Sequence, residues 1–265
     1  MRINTLASGS SGNSIFIEGG GSRILIDAGC SGKTIAQSLI KGCAVSPEEL
    51  DGIVVTHAHR DHICGVGVLS RRFDLPIYAT QGTWTEMERL IGPIRPDNIC
   101  LLERKGDFAL HGMRIQTFPT SHDALDSVGL VCSSGAESVG IATDTGVFTP
   151  EMADMLNNLS CLILESNHDR KMLSAGPYPR HLKQRIASAT GHMCNEVCAR
   201  ALLKIMGSRT RHIILAHLSA ENNLPRLALQ TVRSILEAEQ VCLEGISLQT
   251  APRYIPGQCI CLGDD

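Results

Sequence analysis

The sequence predicts an α/β protein, an αββα sandwich in which two central β-sheets are flanked by helices. Short apolar or alternating runs, separated by Gly- and Ser-rich turns, dominate the first half and are typical of strands. After Pro150, strand-like runs alternate with helix-like segments. No low-complexity linker divides the 265 residues, and 43% of them are hydrophobic, which is enough for a substantial core. We therefore expect one domain over residues 1–265.

The first part of the chain predicts strands broken by helices. Apolar runs between turn residues predict strands at Ile3–Ala7, Ser14–Glu18, Arg23–Asp27, Ile53–Thr56 and Pro76–Ala79. Helical spacing of apolar residues predicts helices at Ser31–Lys41, Cys64–Phe73 and Thr83–Ile91, and a further helix start at Ser46–Glu49.

The rest of the chain continues this alternation. Strands are expected at Ile99–Leu102, Phe108–Leu110, Met113–Phe118, Val128–Cys132, Ser138–Thr143, Cys161–Glu165 and His212–Ala216. Helices are expected after Pro150 and at Pro225–Ala238. We interpret the final stretch, Gly245–Leu262, as a short strand pair.

Charge and cysteine content narrow the setting of the protein. The formal net charge is −3, so nucleic-acid binding would need a local basic surface. Eleven cysteines, an odd number, do not suggest a paired disulfide framework. The start of the chain shows no apolar signal-peptide stretch, and no run approaches the ~18 apolar residues that span a bilayer. We expect a cytoplasmic protein that does not associate with membranes.

The strongest motif is Thr56-His57-Ala58-His59-Arg60-Asp61-His62, which directly follows a predicted buried strand. Three imidazoles and a carboxylate can converge from one such loop. Neutral imidazole suits Zn, Fe or Mn, whereas a carboxylate suits harder metals and bridging water. With only 10 histidines in the chain, a chance cluster of solvated histidines is the weaker interpretation.

The pattern His-x-His-x-Asp-His resembles the signature of the metallo-β-lactamase superfamily. Four more candidates stand at predicted strand ends, where loops gather: Asp27, His122, Asp144 and His217. The resemblance implies two divalent metal ions, Zn or Mn. It assigns His57, His59 and His122 to one metal and Asp61, His62 and His217 to the other, with Asp144 bridging. Asp27 is expected to orient a ligand imidazole or the loop.

Further segments select a family within this superfamily. They are the Ser8–Asn13 turn, Glu165-Ser166-Asn167-His168-Asp169, Gly191-His192-Met193-Cys194-Asn195, and His217-Leu218-Ser219-Ala220-Glu221-Asn222-Asn223. Together they resemble the YycJ (WalJ) family. This resemblance implies a phosphodiesterase that acts as a 5′-to-3′ DNA exonuclease, in which a hydroxide held by two metals attacks phosphorus.

Catalytic roles follow from the same resemblance. Asp61 would orient the hydroxide, His192 or His168 would protonate the leaving oxygen, and Asn195 is a candidate substrate contact. Because His192 precedes a predicted helix, the helix dipole should disfavour its charged form.

A basic segment lies between His168 and His192. It contains Arg170, Lys171, Arg180, Lys183 and Arg185, opposed only by Asp169. Phosphate backbones favour such a surface, so Arg180, Lys183 and Arg185 are candidate substrate-binding residues, with DNA as the expected partner. An ordinary solvated helix face is the alternative.

The sequence leaves two alternative functions open and contains two segments that we do not assign to the site. One rival is a small-molecule hydrolase on the same scaffold, of the thioesterase or lactonase type. The other is a non-catalytic, metal-containing nucleic-acid-binding module. His111, in the predicted hairpin turn Leu110-His111-Gly112, is expected on the surface. The segment from Gly29 to Thr34 imitates part of a phosphate-binding loop, but Asp27 stands where the first Gly belongs.

Overall fold

The computed structural model describes residues 1–263, which form two compact units. Unit 1 comprises residues 1–119, 124–137 and 252–263, and unit 2 comprises residues 120–123 and 138–251. The expectation of a single domain over residues 1–265 stays a prediction.

Unit 1 contains a seven-stranded mixed sheet. Its strands are β1 (Arg2–Ala7), β2 (Ser14–Gly19), β3 (Ser22–Ile26), β4 (Gly52–Val54), β5 (Ile77–Thr80), β6 (Ile99–Leu102) and β14 (Ile260–Cys261). They lie in the order β14-β1-β2-β3-β4-β5-β6. Strands β14 to β3 pair antiparallel, and β3 to β6 pair parallel. All three residues of β4 are buried, which explains why this strand is apolar throughout rather than alternating.

Three further strands of unit 1 pair antiparallel in the order β9-β8-β7. They are β7 (Gly106–Leu110), β8 (Met113–Pro119) and β9 (Val128–Ser134). His111, between β7 and β8, has a φ of 47° and an exposed side chain, so its expected place on the surface is confirmed.

The helices of unit 1 are α1 (Gly32–Cys43), α2 (Arg60–Ile63), α3 (Val66–Phe73) and α4 (Gln81–Ile91). Helix α1 buries Ile35, Leu39 and Cys43, which are spaced four residues apart on one face. The predicted helix Cys64–Phe73 is wrong at its start: α3 begins at Val66, and α2 instead carries the second half of the histidine motif. A side chain at Gly65 would collide with the Cys30 carbonyl, so the chain passes too closely there for any larger residue.

Unit 2 contains parallel strands in the order β13-β12-β11-β10. They are β10 (Glu137–Ala142), β11 (Cys161–Glu165), β12 (His212–Ala216) and β13 (Ser247–Thr250). The helices are α5 (Pro150–Leu156), α6 (Arg170–Ala175), α7 (Arg180–Ile186), α8 (Asn195–Ile205) and α9 (Pro225–Ala238). Because the strands run parallel, their carboxyl ends meet at one edge, where polar side chains can gather.

The final stretch corrects one prediction. It does contain two short strands, but they do not pair with each other: β13 lies parallel to β12, and β14 lies antiparallel to β1. The connection between them includes Pro252 and Pro256, each of which lacks a backbone donor. The interpretation of Gly245–Leu262 as a strand pair is therefore wrong. Within residues 1–263, every helix is too short or too polar to cross a membrane.

Candidate metal centre and adjoining cleft

The histidine motif of unit 1 occupies the loop between β4 and α2 and the single turn of α2. The ring centroid of His57 lies 4.7 Å from that of His59 and 4.0 Å from that of His62. The side chains of His57 and His62 are buried, and Asp61 is about one-quarter exposed. The structure thus brings the imidazoles and the carboxylate of the motif together, as the sequence predicts.

Asp27 supports this cluster from the end of β3. Its Oδ1 accepts a hydrogen bond from the Thr56 backbone N–H at 2.8 Å, and its Oδ2 accepts from the Thr56 hydroxyl at 2.8 Å. The Nδ1 atom of His62 lies 2.7 Å from the same Oδ2. A proton on Nδ1 satisfies this contact and puts the lone pair of the His62 ring on Nε2, the atom through which it would ligate a metal. Asp27 adopts a left-handed backbone (φ 61°), which is uncommon for a residue with a side chain and typical of functional sites.

The Gly/Ser turn after β1 also holds the motif. The backbone N–H of Asn13 donates to the Asp61 carbonyl at 2.8 Å, and its side-chain Nδ2 lies 3.0 Å from His62 Nε2. The N–H of Gly29 donates to the Asn13 carbonyl, and a Cβ on Gly29 would lie 1.7 Å from the Asp61 carbonyl oxygen. Only glycine fits at position 29, so the segment that imitates a phosphate-binding loop serves instead as packing for the histidine motif.

Unit 2 gathers a second cluster at the carboxyl ends of its parallel strands. Asp144 follows β10, Glu165 ends β11, and His217 follows β12, while His192 precedes α8. Ligand atoms of these four residues all lie within 4.8 Å of one another. Asp144 and His217 both have left-handed backbones, with φ values of 56° and 54°. Such a backbone is uncommon for residues other than glycine and is concentrated at functional sites.

Glu165 organises this second cluster, and we had not assigned it to the site from sequence. Its Oε1 accepts from His192 Nδ1 at 2.7 Å and from His217 Nδ1 at 3.0 Å. Its Oε2 accepts from the backbone N–H groups of Thr145 and Met193. Burial alone would raise the pKa of Glu165, but the charge and hydrogen bonds of the two histidines outweigh it and lower the pKa. Glu165 is therefore a buried carboxylate that fixes two imidazoles.

His192 differs from its sequence prediction. Burial lowers the pKa of His192, but the Glu165 carboxylate at 2.7 Å more than reverses this, so its pKa is raised. The expectation that a helix dipole disfavours the charged form is wrong, because a carboxylate in direct contact acts more strongly than the dipole of α8. The side chain keeps 20% of its surface exposed.

His122 is held in the same unit by the loop that precedes His192. Its Nδ1 lies 3.1 Å from the Gly191 carbonyl, to which a protonated Nδ1 donates. Its Nε2 lies 3.8 Å from Asp144 Oδ1. This arrangement again fixes the tautomer in which Nε2 carries the lone pair that a metal needs.

His168 and His192 line a cleft of about 550 Å³ in unit 2, together with Arg180 and Lys183. His168 is buried, and this burial lowers its pKa to about 4, so it is neutral at pH 7. Arg185 donates from Nε to Asp123 at 2.6 Å and is largely exposed.

Asn195 does not lie where a substrate could reach it. It is fully buried, its Oδ1 accepts from the Ser166 hydroxyl and from Asn223 Nδ2, and its Nδ2 donates to Asn223 Oδ1. The expectation of a direct substrate contact is corrected: Asn195 joins the start of α8 to the segment that carries His168. Asn223, which the sequence analysis named only as part of a motif, is the hydrogen-bond partner of Asn195 in this contact.

The donor set fits a divalent metal ion. In unit 2, carboxylate oxygens and imidazole nitrogens converge within 4.8 Å, and in unit 1 the hydrogen bond of His62 Nδ1 to Asp27 puts the lone pair of that ring on Nε2. Imidazole and carboxylate ligands, with buried carboxylates orienting the imidazoles, are typical of Zn and Mn sites.

Comparison with known proteins agrees with this geometry. Residues 22–218 match the family model described as a beta-lactamase superfamily domain. The chain belongs to this superfamily. The exodeoxyribonuclease YycJ of Bacillus anthracis is 39% identical to this chain over 238 residues, which cover 89% of each protein. The exodeoxyribonuclease WalJ of Streptococcus pneumoniae is 40% identical over 234 residues, which cover 88% of this chain and 87% of the relative.

Solved structures of the superfamily show the same fold. The metallo-β-lactamase-fold protein YhfI of Bacillus subtilis superposes with a TM-score of 0.73 at 17% identity, over 97% of this chain and 98% of the other. The short form of human tRNase Z gives a TM-score of 0.63 at 16% identity, over 97% and 99%. The predicted α/β fold, two mixed β-sheets flanked by helices, is confirmed, as are the metallo-β-lactamase-fold hydrolase and the resemblance to the YycJ (WalJ) family.

Proposed function

We propose that this protein is a metal-dependent exodeoxyribonuclease that degrades DNA in the 5′-to-3′ direction. The observation that carries the proposal is the near-full-length identity of 39–40% to proteins named exodeoxyribonuclease. The cleft of unit 2 supports it, because Arg180 and Lys183 line the same cavity as His192. Cationic side chains beside a metal-ligand cluster suit a phosphodiester substrate.

The proposed cofactor is a pair of divalent ions, Zn or Mn. Following the superfamily resemblance, His57, His59 and His122 would hold one ion, Asp61, His62 and His217 the other, and Asp144 both. Such ions supply a lowered pKa for water and stabilise the negative charge that develops on phosphate.

The protein's own residues position the reacting groups. Asp27 holds the His62 ring through Nδ1, and Glu165 holds the His217 ring in the same way. Asp61 would orient the attacking water while it serves as a ligand. The cations of the cleft bind the phosphodiester and offset its charge.

His192 is the better candidate for the proton donor. Its Nδ1 is held by Glu165, so the opposite ring nitrogen faces away from the carboxylate, and part of the ring is exposed in the cleft. His168 is nearly inaccessible and neutral at pH 7, which suits a hydrogen-bonding role better than proton donation.

The proposed setting is the cytoplasm, with DNA as the partner. The odd number of cysteines, eleven, supports this setting because it does not suggest a paired disulfide framework.

The test is degradation of 5′-labelled single- and double-stranded DNA by metal-stripped protein, with Mn or Zn added back and the salt concentration varied. We expect metal-dependent release of label that weakens as salt rises, since phosphate contacts are screened. Cleavage of thioesters or lactones instead of DNA would favour the small-molecule hydrolase. Full metal occupancy without turnover of any of these substrates would favour the non-catalytic module.

A further inference from the structure

The cleft of unit 2 has the dimensions of a small-ligand pocket. Its volume is about 550 Å³, within the ~300–1,000 Å³ range that pockets for single small molecules occupy. A cavity of this size accommodates one nucleotide, whereas backbone contacts to a DNA duplex need only an open surface.

The charge of the lining selects an anion. Three cations line the cavity, Arg170, Arg180 and Lys183, and no carboxylate occurs among its described lining residues. Two of these cations are held in place: Lys183 Nζ donates to the Ser174 carbonyl at 2.7 Å, and Arg170 Nε donates to Cys194 Sγ at 3.1 Å. Two of the three cations are therefore positioned by hydrogen bonds, and Arg180 adds an exposed charge to the same lining.

One wall of the cavity is apolar. Leu173, Ala187 and Val197 line it alongside the cations, and Leu173 is almost fully buried. Apolar side chains together with positive charge match a ligand that has a flat, weakly polar part and an anionic part. A nucleotide has both, in its base and its phosphate.

A buried nitrogen points to the same conclusion. His168 lines the cavity with only 3% of its surface exposed, and its Nδ1 has no hydrogen-bond partner within residues 1–263. Buried polar atoms without a partner are rare in folded proteins, and a ligand in the cavity can supply what the chain does not.

We propose that this cavity is a pocket for the terminal nucleotide of the DNA strand, with its 5′-phosphate on Arg180 and Lys183, its base against Leu173 and Val197, and a hydrogen bond to His168. The inference deepens the proposed function and rests on it. A strand end held in this cavity, which residues of α6 and α7 line, would be shortened by one nucleotide in each cleavage.

The bond changes follow from this placement. Water adds to the phosphorus between the first and second nucleotides, and the bond from that phosphorus to the 3′-oxygen of the terminal nucleotide breaks. His192, which lines the same cavity, gives its proton to that 3′-oxygen. The products are one nucleoside 5′-monophosphate and a strand shortened by one residue that again ends in a 5′-phosphate.

The test is calorimetric titration of the full-length protein in EDTA with deoxyadenosine 5′-monophosphate, deoxyadenosine and inorganic phosphate. We expect the monophosphate to bind at least about tenfold more tightly than either deoxyadenosine or phosphate, because it contacts both the cations and the apolar side chains of the lining. Arg180→Gln and Lys183→Gln should each weaken it by about tenfold or more. His168→Ala should weaken it several-fold. The matched control is Arg226→Gln, an exposed position on α9 outside the described cavity lining, which should leave the affinity unchanged.

The outcomes separate this inference from the function on which it rests. DNA degradation without monophosphate binding would overturn the pocket and leave the nuclease standing. Equal affinity for phosphate and monophosphate would reduce the cavity to an anion site and overturn the nucleotide assignment. Monophosphate binding without metal-dependent nuclease activity would instead contradict the proposed function. If His168→Ala fails to fold, the Arg180 and Lys183 variants, which change partly or fully exposed side chains, still decide the question.

Discussion

The two clusters of candidate metal ligands are built in different ways. In unit 1, the imidazoles and the carboxylate come from one run, His57 to His62, and Asp27 and Asn13 brace that run from two neighbouring turns. In unit 2, the participating residues come from separate strand ends, and a single carboxylate, Glu165, bonds to both His192 and His217.

This difference determines how far a single substitution should disturb the other candidate ligands. A contiguous loop that several hydrogen bonds hold can lose one of them and keep its backbone conformation, since its ligands are neighbours in sequence. Dispersed ligands that share one carboxylate lose their common orientation when that carboxylate changes. We therefore expect substitution of Glu165 in unit 2 to reduce activity more than substitution of Asp27 in unit 1.

The largest effect should follow loss of a ligand. His57→Asn should lower metal content and abolish detectable DNA degradation, because the buried imidazole is a proposed ligand. Metal analysis of the purified protein and the labelled-DNA assay measure both. His111→Asn, at an exposed turn with the same change of side chain, is the control and should retain both. Full activity in the His57 variant would remove this histidine from the proposed site.

Glu165→Gln should come next, with activity about 100-fold lower or more. One Glu165 oxygen accepts from His192 and His217, and the other accepts from two backbone N–H groups. Glutamine has only one accepting oxygen, so it cannot replace both sets of hydrogen bonds. The same change should reduce the free energy of unfolding by about 1–3 kcal/mol, as buried donors lose their acceptor. Activity and chemical denaturation are the measurements. Glu221→Gln, at an exposed position, is the control. A Glu165 variant as active as this control would refute the shared-carboxylate account.

Asp27→Asn should be milder, with metal affinity and activity about tenfold lower. Its Oδ1 can still accept from the Thr56 N–H, so that the impaired contacts are those of Oδ2 with His62 Nδ1 and with the Thr56 hydroxyl. Metal titration followed by activity gives the comparison with Glu165→Gln. If Asp27→Asn proves the more damaging of the two, the contrast between the clusters is reversed.

The last prediction concerns stability in acid rather than activity. The folded-state pKa of His168 is lowered to about 4, so between about pH 6.5 and 4 the unfolded chain binds more protons at this residue. Its contribution to stability is present above about pH 6.5 and is lost as the pH falls toward 4, by at most about 1.4 kcal/mol per pH unit. Denaturation in EDTA should show a shallower pH dependence for His168→Gln than for the wild type. Identical slopes would mean that His168 does not titrate as its burial requires.

The sequence predicted contiguous features better than dispersed ones. The His57–His62 motif and the strands Cys161–Glu165 and His212–Ala216 are visible as local patterns, because their residues are neighbours or share one apolar run. Glu165 was overlooked as a site residue although it is a lone charge at the end of an otherwise apolar strand. Its importance depends on histidines 27 and 52 residues away.

Two further errors have the same origin. Asn195 stood in a motif of a resembled family, but only the fold reveals that it is buried against Asn223 rather than exposed to substrate. The last two strands were read as neighbours because they are close in sequence, whereas each pairs with a distant strand. Local pattern cannot specify such pairings, which depend on which sheet edge is open.

The central claim is that the two clusters serve one metal-dependent nuclease, and metal titration with activity tests it most directly. Metal-stripped protein would receive Mn or Zn stepwise while bound metal and release of label from 5′-labelled DNA are both measured. The account predicts two ions per chain and nuclease activity that appears only as they bind. Nuclease activity in the metal-free protein, or two bound ions with no DNA degradation, would contradict it.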